Sequence, residues 1–338
     1  RAAAREALET ALGQDLPADQ RQAIHEQLGL LCLDDGQRPG SGAACALRHL
    51  EAAARGPDPG LASGAEALAE GLGALAAGAA PQEFALAHAQ LGRTLLERGD
   101  PERARVRFET ALALAPAYAE AHAYLGHAWS LLGRPAQAEQ HLEQAVALEP
   151  EKTLPRYLLG MHYLRRGWLE TGRDVLVAAY EVEPDNPALC AAVADSYLRG
   201  DAPRYEVAEQ WLLAAVANAP DDVSFYLLLA HLYVEMGLDP GGRGVVTAQA
   251  AIDLAPETAE AHETLGWAYQ LAGRPALAVE PLERALARAP SARVHYRLGE
   301  VYRALGQVAE ARAHLQAALD LDWNGAVGKR ASESLAGL

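Results

Sequence analysis

The sequence predicts an all-α repeat array, and three observations carry that prediction. Leu-Gly, an aromatic three residues on, two spaced alanines and a closing proline return every 33 to 36 residues between Ala85 and Gly325. Within each copy the apolar residues fall at helical rather than alternating spacing. Half of the 338 residues are apolar and Ala dominates, which suits helices that meet at small-residue contacts. A single globular core of this length would be large, whereas a stacked array grows linearly and meets no such limit.

Residues 1–80 are helical in pattern but out of step with the repeat. Helices are expected over 2–12 and 17–33. Leu28-Gly29, followed by Ala46, Leu50 and Ala53, reads as a worn hairpin with a lengthened turn over 34–42. A further helix over 61–79 is weakened by Gly64, Gly71, Gly73 and Gly78. Terminal repeats depart from pattern because one face meets water, so this region is expected to be a cap of degenerate repeats. A distinct helical docking module is the alternative.

Seven copies follow, over 85–118, 119–152, 153–186, 187–222, 223–258, 259–291 and 292–325. Position eight is small throughout: Gly92, Gly126, Gly160, Ala194, Ala230, Gly266 and Gly299. Position eleven is Leu95 and then aromatic: Trp129, Tyr163, Tyr197, Tyr233, Tyr269 and Tyr302. Position twenty is small again, from Ala104 to Ala311. Small residues let two antiparallel helices approach closely, and the large ones fill the space between hairpins. The proline, as at Pro116 or Pro150, ends one hairpin and starts the next. Copies four and five carry longer turns at Gly200–Pro203 and Gly237–Gly242. A Gly-rich turn can form an anion nest, but no phosphate-loop ending is present, so a plain longer turn is expected. Residues 326–338 are expected to form an amphipathic capping helix.

The clearest copy, with Leu125, Gly126, Trp129, Ala138, Leu142, Ala145 and Pro150, resembles the tetratricopeptide (TPR) helix-turn-helix repeat. An Arg-rich, Lys-poor composition fits a bacterial source. The resemblance implies a right-handed superhelical solenoid with atypical helical caps at both ends. It also implies a non-catalytic scaffold that holds a peptide or helix of a partner protein in a concave groove. First-helix positions two, five, nine, twelve and thirteen would line that groove. Carried onto this sequence, they include Tyr157, Met161, Leu164 and Arg165 in the third copy and Asp195, Leu198 and Arg199 in the fourth. His231, Trp267 and Tyr296 follow in copies five to seven. The aromatics and Met161 are of the kind that anchor a peptide, and equally of the kind that floor a groove. Arg165 and Arg199 hold the same position in successive copies. They are expected either to fork a carboxylate together or to pair locally, as Arg199 would with Asp195.

A formal charge of −16 argues against nucleic acid as partner. No apolar stretch is long enough to cross a bilayer; the nearest, 61–81, carries Glu66 and Glu70. The sequence has no HExxH, GxSxG or phosphate loop, so no catalytic residue, cofactor or metal is expected. His88, His122, His262 and His295 recur at position four as packing residues, and His127 and His231 are placed too far apart to share a metal. Cys32, Cys45 and Cys190 show no ligand spacing, and buried free thiols are favoured over a Cys32–Cys45 disulfide. The chain begins at Arg1, so an upstream segment is expected to have been removed, and the compartment, cytoplasmic or extracytoplasmic, stays open. Two other readings stand beside the scaffold: an accessory region of a larger bacterial membrane or secretion enzyme such as a glycosyltransferase, and a self-associating subunit that forms homo-oligomers.

Overall fold

Helix follows helix through the computed structural model, which describes residues 2–14, 16–34, 41–57, 65–66, 69 and 81–338, and no strand occurs among them. Two units divide at residue 182. The first holds α1 (Ala2–Leu12), α2 (Ala18–Asp34), α3 (Ser41–Ala54), α4 (Pro81–Glu97), α5 (Pro101–Leu114), α6 (Ala119–Leu131), α7 (Pro135–Leu148), α8 (Thr153–Arg165) and α9 (Leu169–Tyr180). The second holds α10 (Pro187–Leu198), α11 (Tyr205–Asn218), α12 (Val223–Glu235), α13 (Val245–Leu254), α14 (Ala259–Leu271), α15 (Pro275–Arg288), α16 (Ala292–Ala304), α17 (Val308–Leu321) and α18 (Ala326–Ala336). No described helix is long and apolar enough to cross a membrane. Most of the helix expected over 61–79 lies outside the described residues, although Ala65 and Ala69 are buried in the first unit's core.

Each hairpin closes on its small residues. A Cβ built on Gly126 of α6 would lie 2.6 Å from Leu142 Cγ and 2.9 Å from the Ala138 carbonyl oxygen of α7. Gly160 meets Leu176, and Gly266 meets Leu282, in the same way. These leucines are fully buried, so the close approach is the core of each hairpin. The chain then reverses through a left-handed residue that only Gly adopts cheaply: Gly133, at φ +69°, follows α6, and six further glycines do the same work. Three second helices, α5, α7 and α15, start with Pro at the first position. Asp100, for instance, accepts from the Arg103 N–H, with Pro101 behind it.

The longer turn of the fifth copy is not an anion nest. The Asp239 carboxylate accepts the N–H groups of Gly242 and Arg243 and the Arg243 Nε–H, each at 3.1 Å. A π-helical turn over Pro240–Gly244 leads into α13, and the amides that would cradle an anion already hold a carboxylate. Those donors, Arg243 first, pull the Asp239 pKa below its usual value.

At the N-terminus α2 and α3 form the expected worn hairpin, in which Gly29 faces Leu50 as Gly126 faces Leu142. One expectation needs correction here: Cys32 and Cys45 are joined as a disulfide and are not free thiols. The two lie on facing helices either side of one reversal, with Cα atoms 5.8 Å apart, inside the range a disulfide bridges. Cys190 is free and buried.

Candidate partner-binding groove

The side chains expected to line a groove come from the first helix of each hairpin, and their exposure depends on the second helix behind them. Position twelve shows this. Leu164 and Val234 are buried, at 2% and 1% exposure, whereas Leu198 is half-buried. Copies three and five carry Gly at position twenty, where the others carry Ala. A Cβ on Gly172 would come within 2.8 Å of Leu164 Cδ2, and one on Gly244 within 2.9 Å of Val234 Cγ2. The missing methyl leaves a socket that draws the opposite side chain into the hairpin. Leu164 is therefore a core residue and is withdrawn from the groove set.

In the first unit, Tyr157 and Met161 on α8 are half-buried. Arg165 is held across to the neighbouring first helix, α6, where its Nη2 donates to Ser130 Oγ at 2.7 Å. Ser130 Oγ in turn lies 2.9 Å from His162 Nδ1. His127, one turn earlier on α6, has a buried Nδ1 with no partner among the described residues. Burial, with the Arg165 charge added, holds its pKa down to about 4, so the ring is neutral near pH 7.

In the second unit, Asp195 and Arg199 pair with each other at 2.7 Å, both partly exposed. That satisfies Arg199 locally and leaves no forked carboxylate site to build on it. Further along, three first helices are tied together by charge. Glu263 of α14 is 5% exposed and accepts two bonds from Arg293 of α16, at 2.6 and 2.8 Å. Buried Arg297 reaches both Glu263 and Glu235 of α12. Its guanidinium also lies 5.2 Å from the Trp267 ring centroid, so one face of that indole already carries a cation. Tyr296 is taken up by the C-terminal helix: it packs in the Leu315–Ala331 cluster and its hydroxyl bonds Ser334, so it is no free anchor.

An open concavity lies between α12 and α14. Ser224, Leu227, Leu228 and His231 from α12 and Glu260 from α14 line a concavity of about 460 Å³. Leu228 is 47% exposed there, a large apolar side chain with polar neighbours on both sides. Ser224, Leu227, His231 and Glu260 follow from the groove register; Leu228, at position six, does not, since four other copies bury that position. Leu158 and Arg297, at the same position, are buried.

The position-four histidines do more than pack. His122 Nε2 donates to the Pro116 carbonyl oxygen at 3.0 Å and His262 to that of Pro256 at 2.8 Å, satisfying a carbonyl exposed by the closing proline. Sequence reasoning missed this because the acceptor is backbone. It also missed that Cys32, Cys45 and His49 converge, since their spacing is helical and read across two helices.

Tetratricopeptide-repeat profiles match residues 95–161, 246–292 and 264–326. No curated protein matches the chain. Among solved structures, Pseudomonas aeruginosa pilF is similar at TM-score 0.51 and 17% identity, over 75% of this chain and 99% of that one. A tetratricopeptide repeat protein from Parabacteroides merdae is similar at TM-score 0.53 and 16% identity, again over 75% and 99%. A human IFIT1 dimer with PPP-AAAA is similar at TM-score 0.55 and 19% identity, over 94% of this chain and 80% of that one. At these identities the likeness is one of fold.

Proposed function

Because the chain belongs to the tetratricopeptide-repeat family, a family of protein-interaction scaffolds, we propose that it binds a partner peptide on its first-helix face. The concavity between α12 and α14 carries this reading. Leu227 and Leu228 offer an apolar floor, Glu260 and His231 a polar rim, and the anchor pocket of a helix or extended peptide has that makeup. A net charge of −16 steers toward a partner with a basic flank and away from nucleic acid, whatever other members of the fold carry. Arg165 and Arg199 are engaged within the protein, which turns the reading away from an acidic partner.

A random-peptide display selection on the full chain tests this. Recovered peptides are expected to share an apolar anchor beside Lys or Arg. Leu228→Asp is expected to weaken them by about 2 kcal/mol or more, since it puts an unpaired charge in the anchor pocket. Peptides that bind the Leu228→Asp chain as tightly as the native one, with its melting temperature unchanged, overturn the groove reading.

A further inference from the structure

Three hairpins carry a histidine at position four of the first helix and another at position twenty-three of the second. The Nδ1 atoms face each other at 3.0 Å in His25–His49, 3.0 Å in His122–His141 and 3.1 Å in His295–His314. In the last of these, His314 also stacks on Tyr302, the position-eleven aromatic, with centroids 5.5 Å apart. The N-terminal hairpin departs at that place. Its position eleven is Cys32, and Cys45 lies opposite on α3, one turn before His49. A sulfur of the disulfide thus stands at the position from which Tyr302 covers His314 in the last hairpin. The sulfurs of Cys32 and Cys45 and a ring nitrogen of His49 all lie within 4.8 Å of one another. Both cysteines are buried and His49 is half-buried.

We propose that Cys32, Cys45 and His49 form a binding site for a thiophilic divalent cation of the zinc class, filled when the Cys32–Cys45 disulfide is reduced. Zinc holds thiolate at ~2.3 Å and imidazole at ~2.0 Å, so the ligand atoms of a tetrahedral site stand about 3.5–3.8 Å apart. The three ligand atoms already lie within 4.8 Å of one another, and parting the sulfurs on reduction brings them toward that spacing. The chemistry balances as follows. A dithiol gives two electrons and two protons to the cystine, breaking the S–S bond and becoming a disulfide itself. The cation then displaces both thiol protons and forms two sulfur–metal bonds. Arg5 Nη2, 3.5 Å from Cys45 Sγ, supplies a positive charge that favours thiolate. His25 is a positioning residue: its bond to His49 Nδ1 fixes the ligating ring, as a second layer of hydrogen bonds commonly does at metal sites. Three protein ligands leave a fourth position for water or a partner's side chain.

The full chain, reduced with a phosphine and freed of metal, is titrated with Co²⁺ and then with Zn²⁺ against a chelating dye. One equivalent per chain is expected, with the thiolate-to-cobalt charge-transfer band and the visible bands of a tetrahedral site. The oxidised chain is expected to show neither. Cys32→Ser should abolish the band, and His25→Gln should weaken zinc about ten- to a hundredfold at unchanged stoichiometry. His122→Gln with His141→Gln, a like pair without cysteines, should leave it unaltered. Helicity by circular dichroism is recorded for every variant. If the reduced native chain takes up no stoichiometric zinc, or the oxidised chain binds it equally well, or binding survives Cys32→Ser, the proposal is wrong; the first two results need no variant to fold.

Discussion

Gly126→Leu tests the hairpin geometry most directly. The first added carbon would stand 2.6 Å from Leu142 Cγ and 2.9 Å from the Ala138 oxygen, and the latter is backbone that cannot swing aside. Replacing Gly by a helix former gains about 1 kcal/mol of propensity. Forcing a leucine into a filled contact costs about 1–3 kcal/mol or more, because the helices must part and take their neighbours with them. With three further carbons beyond the Cβ to place, the cost falls at the top of that range or above it, and the balance is a net loss of about 2 kcal/mol or more. Urea and thermal melts followed by circular dichroism measure it. Leu142→Ala alone should cost about 2–5 kcal/mol by leaving a cavity. In that background Gly126→Leu should be markedly less harmful, with a coupling of about 0.5–3 kcal/mol, since the new side chain enters the vacated space. Native stability for Gly126→Leu, or an equal penalty in both backgrounds, refutes the packing described here.

Burial holds His88 and His127 down to about 4, against 6.5 for free histidine, so the unfolded chain binds more protons than the native one between those values. Stability should be full above about pH 6.5 and fall toward pH 4, by up to about 3 kcal/mol for each ring, and His88→Gln with His127→Gln should flatten that part of a melting-temperature profile. Arg297→Met removes the buried cation that Glu235 and Glu263 share, leaving Glu263 with Arg293 alone, and should cost about 3 kcal/mol or more, whereas Arg199→Ala removes a partly exposed pair and should cost about 0.5 kcal/mol or less, as urea melts would show. Trp267→Ala should weaken selected peptides by about 1–3 kcal/mol if the indole face left open by Arg297 is used; calorimetry decides it. Asp239→Ala frees the Gly242 and Arg243 amides, and its melting temperature should fall without any gain in phosphate affinity.

Periodicity made the hairpins legible because each signature residue answers a local need. A Gly at position eight is demanded by a leucine in the same hairpin, so the sequence records both partners. The side chains of the groove answer to residues further off. Leu164 looked exposed from its register, yet a missing methyl at Gly172 decides that it is buried. Tyr296 looked like an anchor, yet a helix beginning at Ala326 covers it. Arg297 occupied a position with no assigned role and proved to hold two glutamates on two other helices. The cysteines escaped because ligand motifs are sought along the chain, while Cys32, Cys45 and His49 meet across a hairpin.

The histidine pair on α6 and α7 joins residues only nineteen apart in sequence, and the Tyr163–Glu143 contact spans twenty. Contacts of this reach define a chain of low contact order. Within each unit, the entropy lost in closing one hairpin is small and is recovered before the next must form. Refolding is therefore expected to be fast for the length of chain, with no obligatory starting point. A mutation in one hairpin should mostly speed local unfolding and leave distant nucleation unchanged.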